Sequence, residues 1–446
     1  MRLARTPLAA AGVILTTACG LLFALALGAD AYGLIQNPYV GIGIFGALPV
    51  GFVLGLLLIG VGNVLGRRAG VEGFVWPTIN LANRGQRIFV MGLVIATGVN
   101  VVVLAVAGHG AVQYMETPAF CGEVCHTAME PEFVGHAQGP HANVTCVSCH
   151  VGSGAGALVQ SKIDGTRRLM GFISGNIVRP IATPVHDMRP ARETCATCHW
   201  PEKLHGDKLK VITEYGDDEA VSETVTTLEL KVGGGSQKLG IAEGIHWHMN
   251  IANEVEYIAL DEKRQDIPYV KLTRADGTVR EYRKPGVTDE ALAGGTRRIM
   301  DCTDCHSRPS HAFSATAERA ADRAISGGQI PRALPFVRRE VVKALKTDAP
   351  TKEAALDAID RQLRQFYASP EVSDKAAPAD VARAITAAQT VYASNVFPQM
   401  KVTWGSYTSE LGHTESPGCF RCHDEEKVTA DGARMGQDCD TCHRMR

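Results

Sequence analysis

The chain has 446 residues, a formal net charge of −2 and thirteen cysteines. Its length allows about three domains of roughly 150 residues each. The nearly balanced charge provides no basic field for nucleic acid, so we expect no nucleic-acid partner.

Three apolar runs occupy the first 115 residues: Leu8–Gly28, Gly41–Val64 and Ile88–Val112. A helix of about 20 apolar residues crosses the roughly 30 Å hydrocarbon layer of a membrane, so each run predicts a membrane span. The first run is long and ends without a clear small-residue cleavage site, which favours a retained helix over a signal peptide. Cys19 lies inside it and is predicted to be a buried helix cysteine.

The arginines predict the orientation of these spans, because positive residues stay on the cytoplasmic side. Arg2 and Arg5 precede the first run, whereas the following loop has no Lys or Arg. The connection between the second and third runs carries four arginines: Arg67, Arg68, Arg84 and Arg87. The N-terminus is therefore predicted to be cytoplasmic, and everything after the third run to lie outside.

Twelve cysteines form six close pairs, and a histidine follows each pair directly. The six motifs are Cys121/Cys125-His126, Cys146/Cys149-His150, Cys195/Cys198-His199, Cys302/Cys305-His306, Cys419/Cys422-His423 and Cys439/Cys442-His443. Five of them match C-x-x-C-H, the signature of c-type haem attachment. Two thiols bind the haem vinyl groups and the imidazole reaches the iron.

Two other uses of cysteine pairs fit this pattern less well. A disulfide framework would not need a histidine after every pair, and structural zinc sites usually combine two pairs. We therefore predict six covalently bound c-type haems. Bacteria attach such haems on the periplasmic side, so the motifs and the arginines together predict a bacterial inner-membrane protein with a periplasmic haem domain.

The first motif has one residue too many between its cysteines, in the sequence FCGEVCHTAME. The extra residue predicts a bulge that shifts His126 relative to the iron. Met129 follows three residues later, at helical spacing, and is the favoured ligand, with His126 as the open alternative. A thioether ligand raises the potential of a haem relative to a second imidazole, which suits an electron acceptor beside a quinol.

Beyond the third apolar run, residue composition and periodicity divide the sequence into four predicted regions. Residues 116–206 hold three motifs in loop-rich segments. Residues 207–300 alternate apolar and polar residues, as in LKVITEY and EVEYIAL. This alternation predicts a β-rich insertion, with a turn at Ala275–Gly277. Residues 301–400 combine the fourth motif with helical periodicity, for which Thr351 and Asp380 are predicted N-caps. Residues 401–446 form a two-haem module.

The fold class is therefore a membrane-anchored multihaem cytochrome c. Transmembrane α-helices at residues 1–115 precede a mainly α and loop haem domain with the β-rich insertion. This class needs further iron ligands, because haems that only transfer electrons usually have two strong axial ligands. The predicted distal ligands are His136, His141, His186, His248, His311 and His413, and Met400 is a thioether alternative.

His248 comes from the segment GIHWHMN, which also contains His246. Its flanking sequence predicts an extended conformation, in which both rings would point to the same side. We expect one of the two histidines, with His248 favoured, to bind an iron.

Several segments resemble a known family. A haem motif directly after an apolar run, then His136 and His141 before CVSCH, resembles the NapC/NirT family of membrane-anchored quinol-oxidising cytochromes over residues 88–200. Three apolar runs and the segments NPYVGIGIFGALPVG, RPARETCATCHWPEK, GIHWHMNIANEV and GCFRCHDE look closer to larger inner-membrane multihaem cytochromes of metal-respiring bacteria. The chain departs from simpler family members, which have one anchor helix and four or five haems.

The resemblance implies that menaquinol is oxidised near the first haem, where Met129 matches a methionine that replaces the motif histidine in some members. The quinol-side lysine of the family corresponds to Lys162 in QSKIDG, with Asp164 as the second choice. Electrons then pass to a periplasmic cytochrome or reductase.

The expected function is therefore a quinol dehydrogenase in contact with membrane lipid. Two alternatives remain open, a non-catalytic electron-wiring subunit of a larger respiratory complex and a terminal reductase of a small oxyanion. A homo-oligomer is also open. No C-x-x-C-K motif marks a reductase site in the sequence.

Overall fold

The computed structural model describes residues 6–31, 38–68, 80–124, 126–151, 155–183, 190–200, 204, 206–233, 244–249, 253–407 and 409–446. The chain divides into two compact units, Met1–Met115 and Glu116–Arg446. The boundary coincides with the predicted end of the membrane anchor. The further division of the second unit stays a prediction.

The first unit contains three long helices, α1 (Pro7–Ala31), α2 (Pro38–Arg68) and α3 (Arg84–Met115). Within the described residues, two segments are long and apolar enough to cross a membrane, Pro7–Ala26 and Ile44–Gly66. The third predicted span coincides with α3, which has no acidic or basic residue after Arg87 other than His109. Its membrane crossing stays a prediction.

Small residues let α1 and α2 pack closely. A Cβ atom added at Gly12 would lie 2.7 Å from the carbonyl oxygen of Gly55, and one added at Gly51 would lie 2.6 Å from the Cys19 sulfur. Small residues at helix contacts are typical of membrane helix pairs, because they allow the backbones to approach. Cys19 is buried at this contact, which confirms its predicted role as a buried helix cysteine.

The segment with the first three motifs contains helices of 4 to 19 residues. It begins with a π-helical turn at Phe120–Val124, and a π-helical turn accommodates one extra residue. The turn contains Cys121, whereas Cys125 lies outside the described residues, so the predicted bulge and its effect on His126 stay predictions. The α-helices that follow are α4 (His126–Ala137), α5 (Cys146–His150), α6 (Ala155–Ile173) and α7 (Ala191–Thr194).

Two antiparallel sheets form the β-rich part, and their strands confirm the predicted alternating segments. One sheet has the order β1-β2-β7 and the other the order β5-β4-β3-β6. The strands are β1 (Lys208–Tyr215), β2 (Glu223–Leu230), β3 (Glu254–Ala259), β4 (Tyr269–Thr273), β5 (Val279–Arg283), β6 (Thr296–Ile299) and β7 (His443–Met445). The short helix α8 (Asp289–Gly294) precedes β6.

The sheet connections tie distant parts of the chain together. The predicted turn between β4 and β5 is present, with Gly277 at a φ of 78°, a conformation that favours glycine. Strand β7 starts at His443, the last residue of the sixth motif, and pairs with β2. The C-terminal two-motif segment is therefore joined to the β-rich insertion by backbone hydrogen bonds.

Four helices form the largest hydrophobic core: α9 (Ala317–Ser326), α10 (Val337–Leu345), α11 (Lys352–Tyr367) and α12 (Pro378–Asn395). Thr351 is confirmed as the N-cap of α11, since its hydroxyl accepts a hydrogen bond from the Ala354 amide at 3.2 Å. The N-cap prediction for Asp380 is wrong. Pro378 already occupies the first turn of α12, so the cap falls on Ala377.

The remaining motifs lie on single turns. Cys302–Asp304 and Gly418–Arg421 are 3₁₀ turns, and Cys439–Cys442 forms α13. Another 3₁₀ turn, Ile245–Met249, contains both histidines of GIHWHMN. The predicted extended conformation of this segment is therefore wrong.

Candidate haem-ligand sites

The histidine of each regular C-x-x-C-H motif faces a second histidine. The five distances between ring centroids are 5.9 Å for His199 and His141, 6.1 Å for His150 and His311, 6.3 Å for His306 and His246, 6.0 Å for His423 and His248, and 6.1 Å for His443 and His413. Two histidine–metal bonds of about 2 Å on opposite sides of one iron place ring centroids about 6 Å apart. The residues of all five pairs therefore fit a haem iron.

Hydrogen bonds fix the ring nitrogens of four distal histidines in the same way. The Nδ1 atoms lie 2.8–3.0 Å from backbone carbonyl oxygens: His141 to Pro309, His246 to Val232, His248 to Ile245 and His311 to Glu132. When Nδ1–H donates to a carbonyl, Nε2 keeps its lone pair, and this second hydrogen bond is the usual companion of a metal-bound histidine. The four rings are thus held in the tautomer that presents Nε2 as a ligand.

Burial supports the neutral form of two of the distal rings. It lowers the pKa of His248 and His311 below the ordinary value for histidine, because an apolar environment disfavours the charged imidazolium. A neutral imidazole is the form that binds a metal.

A buried ion pair orients His311. Arg308 contacts Glu132 at 2.7 Å, and both side chains are almost fully enclosed. The backbone oxygen of Glu132 accepts a hydrogen bond from His311. Arg308 stacks on the Tyr407 ring, with 3.9 Å between the guanidinium carbon and the ring centroid. Helix α4, which carries Glu132, therefore sets the direction of a ligand distant in the sequence.

The six motifs follow one another in space as they do in the chain. The thiol of Cys146 hydrogen-bonds that of Cys121. A hydrogen bond between Cys195 and Cys302 joins the third and fourth motifs. The other neighbouring motifs also have thiols near one another: Cys149 near Cys198, Cys305 near Cys419, and Cys442 near Cys419. Each motif is adjacent to the next.

Four predicted ligands are not paired with a motif histidine within the described part of the chain. His136 is buried, but its Nε2 lies 2.9 Å from the carbonyl oxygen of Val144, and its ring is 6.1 Å from that of His311. Cys125 and His186 lie outside the described residues, as does the side chain of His126. Met129 is partly buried on α4. The ligand roles of His126, Met129, His136 and His186 stay predictions.

His246 faces a motif histidine as well, although the sequence favours His248 as the single ligand of this pair. The sequence signal for His246 is the H-x-H spacing of GIHWHMN, which in an extended segment would turn both rings to the same side. In a 3₁₀ turn with three residues per turn, neighbours two positions apart point in different directions. His246 and His248 can then face different motif histidines, as the two centroid distances show.

The candidate quinol residues lie on the amphipathic helix α6. Lys162 is partly buried, and its backbone carbonyl accepts a hydrogen bond from the hydroxyl of Thr166. Asp164 is 3.3 Å from Arg167 and also accepts hydrogen bonds from Gln160. The carboxylate is therefore already engaged by neighbours on its own helix.

Comparisons with known proteins agree with the haem-motif reading. The chain is 38% identical over 421 residues to the cytochrome c-type protein ImcH of Geobacter sulfurreducens, an alignment that covers 92% of this chain and 82% of that protein. No family model matches, so the resemblance to the NapC/NirT family is not confirmed. No solved structure matches either.

The apolar helices and the paired histidines define a membrane-anchored multihaem c-type cytochrome. It carries covalently bound haem and transfers electrons. Within that class, the chain belongs to the family of the cytochrome c-type protein ImcH.

Proposed function

We propose that this cytochrome is an inner-membrane quinol dehydrogenase, which oxidises menaquinol and passes electrons through six c-type haems to a periplasmic redox partner. The observation that carries the proposal is the pairing of all five regular motif histidines with a second histidine at about 6 Å. Bound haem supplies a one-electron carrier at each motif. Two imidazoles per iron leave no open position for a substrate at these five sites.

This pairing weighs against a terminal reductase, which needs an iron with a free coordination position. It suits a relay, in which the protein's task is to hold each iron in one ligand environment while its charge changes. The contiguity of the six motifs favours the same conclusion, because electrons move efficiently only between neighbouring carriers.

The first motif is the proposed site of quinol oxidation. It follows directly in sequence after α3, and its irregular spacing distinguishes it from the five regular motifs. Of the two candidate quinol residues, Lys162 is favoured over Asp164, because Asp164 is paired with Arg167. The ammonium of Lys162 has three donors that can hold a quinol oxygen.

A quinol assay tests the proposal. We expect Lys162→Ala to slow reduction by a menaquinol analogue at least tenfold and to leave dithionite reduction unchanged. Met170→Leu, a volume-conserving change at an exposed position of the same helix, serves as the control, and we expect it to change the quinol rate less than twofold. If the unmodified protein is reduced by the analogue only when a second protein is added, it is a wiring subunit and the dehydrogenase proposal fails.

The haem number is tested separately. We expect six covalent haems per chain from a pyridine haemochrome assay combined with the intact mass, because every cysteine except Cys19 belongs to a motif. Five haems would remove the irregular first motif from the count and, with it, the proposed quinol-side haem.

The membrane arrangement also belongs to the proposal. The arginines near the ends of α2 and α3 favour a cytoplasmic connection between these helices, and this supports the proposal of a periplasmic second unit. Reporter fusions are expected to show a cytoplasmic N-terminus and a periplasmic C-terminus.

A further inference from the structure

The turn Ile245–Met249 places two histidines against two different haem motifs. The ring of His246 lies 6.3 Å from that of His306, in the fourth motif, with only 10° between the ring planes. The ring of His248 lies 6.0 Å from that of His423, in the fifth motif. Each ring of the turn therefore faces a different motif histidine.

Both rings are held in the ligating tautomer by independent backbone oxygens. Nδ1 of His246 lies 3.0 Å from the carbonyl oxygen of Val232, and Nδ1 of His248 lies 2.9 Å from that of Ile245. The lone pair of Nε2 is then directed away from these carbonyls.

The turn itself is firmly anchored to the end of β2. The amides of Ile245 and His246 donate to the carbonyls of Lys231 and Val232, at 2.9 and 3.0 Å. Gly244 precedes the turn with a φ of 84°, and a Cβ atom there would lie 2.5 Å from the Lys231 oxygen, so only glycine fits. Trp247, between the two histidines, packs on the apolar core of the second sheet.

The fourth and fifth motifs are also connected to each other without the turn. Arg421, inside the fifth motif, donates to the carbonyl oxygen of Asp304, inside the fourth. The same guanidinium contacts Glu410 at 3.2 Å, and both of these side chains are buried. Cys422 of the fifth motif packs on the same apolar core as Trp247. The turn and the two motifs therefore form one packed assembly.

We propose that this single turn would supply one ligand to each of two bound haems, His246 together with His306 and His248 together with His423. The inference rests on the multihaem relay proposed above and adds His246 to His248, the ligand of this pair that the sequence favours. One anchored turn then fixes the distance between the fourth and fifth haems. Residues 207–300, which contain no haem motif in their sequence, thereby supply ligands to two haems of the relay.

Spectroscopy of the purified full-length cytochrome tests the proposal. The variants are His246→Ala, His248→Ala and the double variant, and Met249→Leu on the same turn is the matched control. We expect each single variant to convert one low-spin haem to high-spin in low-temperature EPR, with no loss of covalent haem. The double variant should convert two haems, the control none, and added imidazole should restore the low-spin signals.

The double variant decides the matter. Conversion of one haem or of none overturns the proposal, because one turn would then supply fewer than two ligands. If an alanine variant does not accumulate with its haems, His246→Met and His248→Met provide the second measurement. Each is expected to keep the haems low-spin and to raise the potential of one of them in a redox titration. Unchanged titration curves in both would equally overturn the proposal.

The experiment needs no quinol, so its outcome is independent of the quinol assay. Two-haem conversion together with failed menaquinol oxidation would retain the bridging turn and reject the dehydrogenase. The reverse result would retain the dehydrogenase and reject the turn as a double ligand.

Discussion

The four-helix core of the second unit buries many apolar side chains, whereas the motif-bearing segments bury few. In α9–α12, side chains such as Val341, Leu345, Ile359 and Leu363 are fully buried against one another. Between residues 116 and 206, the buried hydrophobic side chains in the described part are only Ala128 and Ala191. The helical region thus has a core made of its own side chains, whereas the motif region depends on haem to complete one.

This difference predicts the largest effect when haem attachment is prevented. In a chain carrying Cys195→Ser and Cys198→Ser, we expect the segment around the third motif to become sensitive to protease, while residues 317–395 stay resistant. The reason is that the motif segment loses most of its apolar contacts and α9–α12 lose none of their mutual contacts. Limited proteolysis with mass spectrometry measures both regions, and the unmodified cytochrome is the control. Equal sensitivity of the two regions would contradict the comparison.

A substitution in the four-helix core tests whether this core is independent of the haem motifs. Leu345→Ala removes a fully buried side chain from α10, and we expect the free energy of unfolding to fall by about 2–5 kcal/mol. The haem absorbance and EPR spectra should not change, because no motif belongs to this core. Leu411→Ala is the matched control, since Leu411 is 54% exposed, and should change the unfolding free energy by less than about 0.5 kcal/mol. Altered haem spectra in Leu345→Ala would show that the two cores are not separate.

The smallest expected effect concerns the N-cap of α11, which belongs to the four-helix core. Thr351→Ala removes the hydroxyl that accepts from the Ala354 amide, and we expect a loss of about 1 kcal/mol of unfolding free energy. Thr386→Ala, at an exposed interior position of α12, is the control and should be nearly neutral. Chemical denaturation of both variants makes the measurement. A loss as large in the control would argue against a specific role for the cap.

Local features of the fold were predictable because their causes are local. The strands β1 to β5 follow from alternation, and α9 to α12 follow from helical periodicity. Two local predictions were wrong because a nearby residue or a distant strand end determined the backbone conformation. Pro378 moved the start of α12 ahead of Asp380, and hydrogen bonds to Lys231 and Val232 wound GIHWHMN into a 3₁₀ turn.

The sequence by itself determined the cofactor class, because two thiols and a histidine at fixed spacing act within a single turn of chain. It also determined that apolar helices precede the motifs, since their length matches a membrane. Only the tertiary structure decided which distal histidine faces which motif. His311 reaches His150 through the α4 ion pair, and His246 reaches His306 through the turn anchored on β2. A ligand needs an iron at a distance and direction that packing sets, and that information is not present in the spacing of residues along the chain.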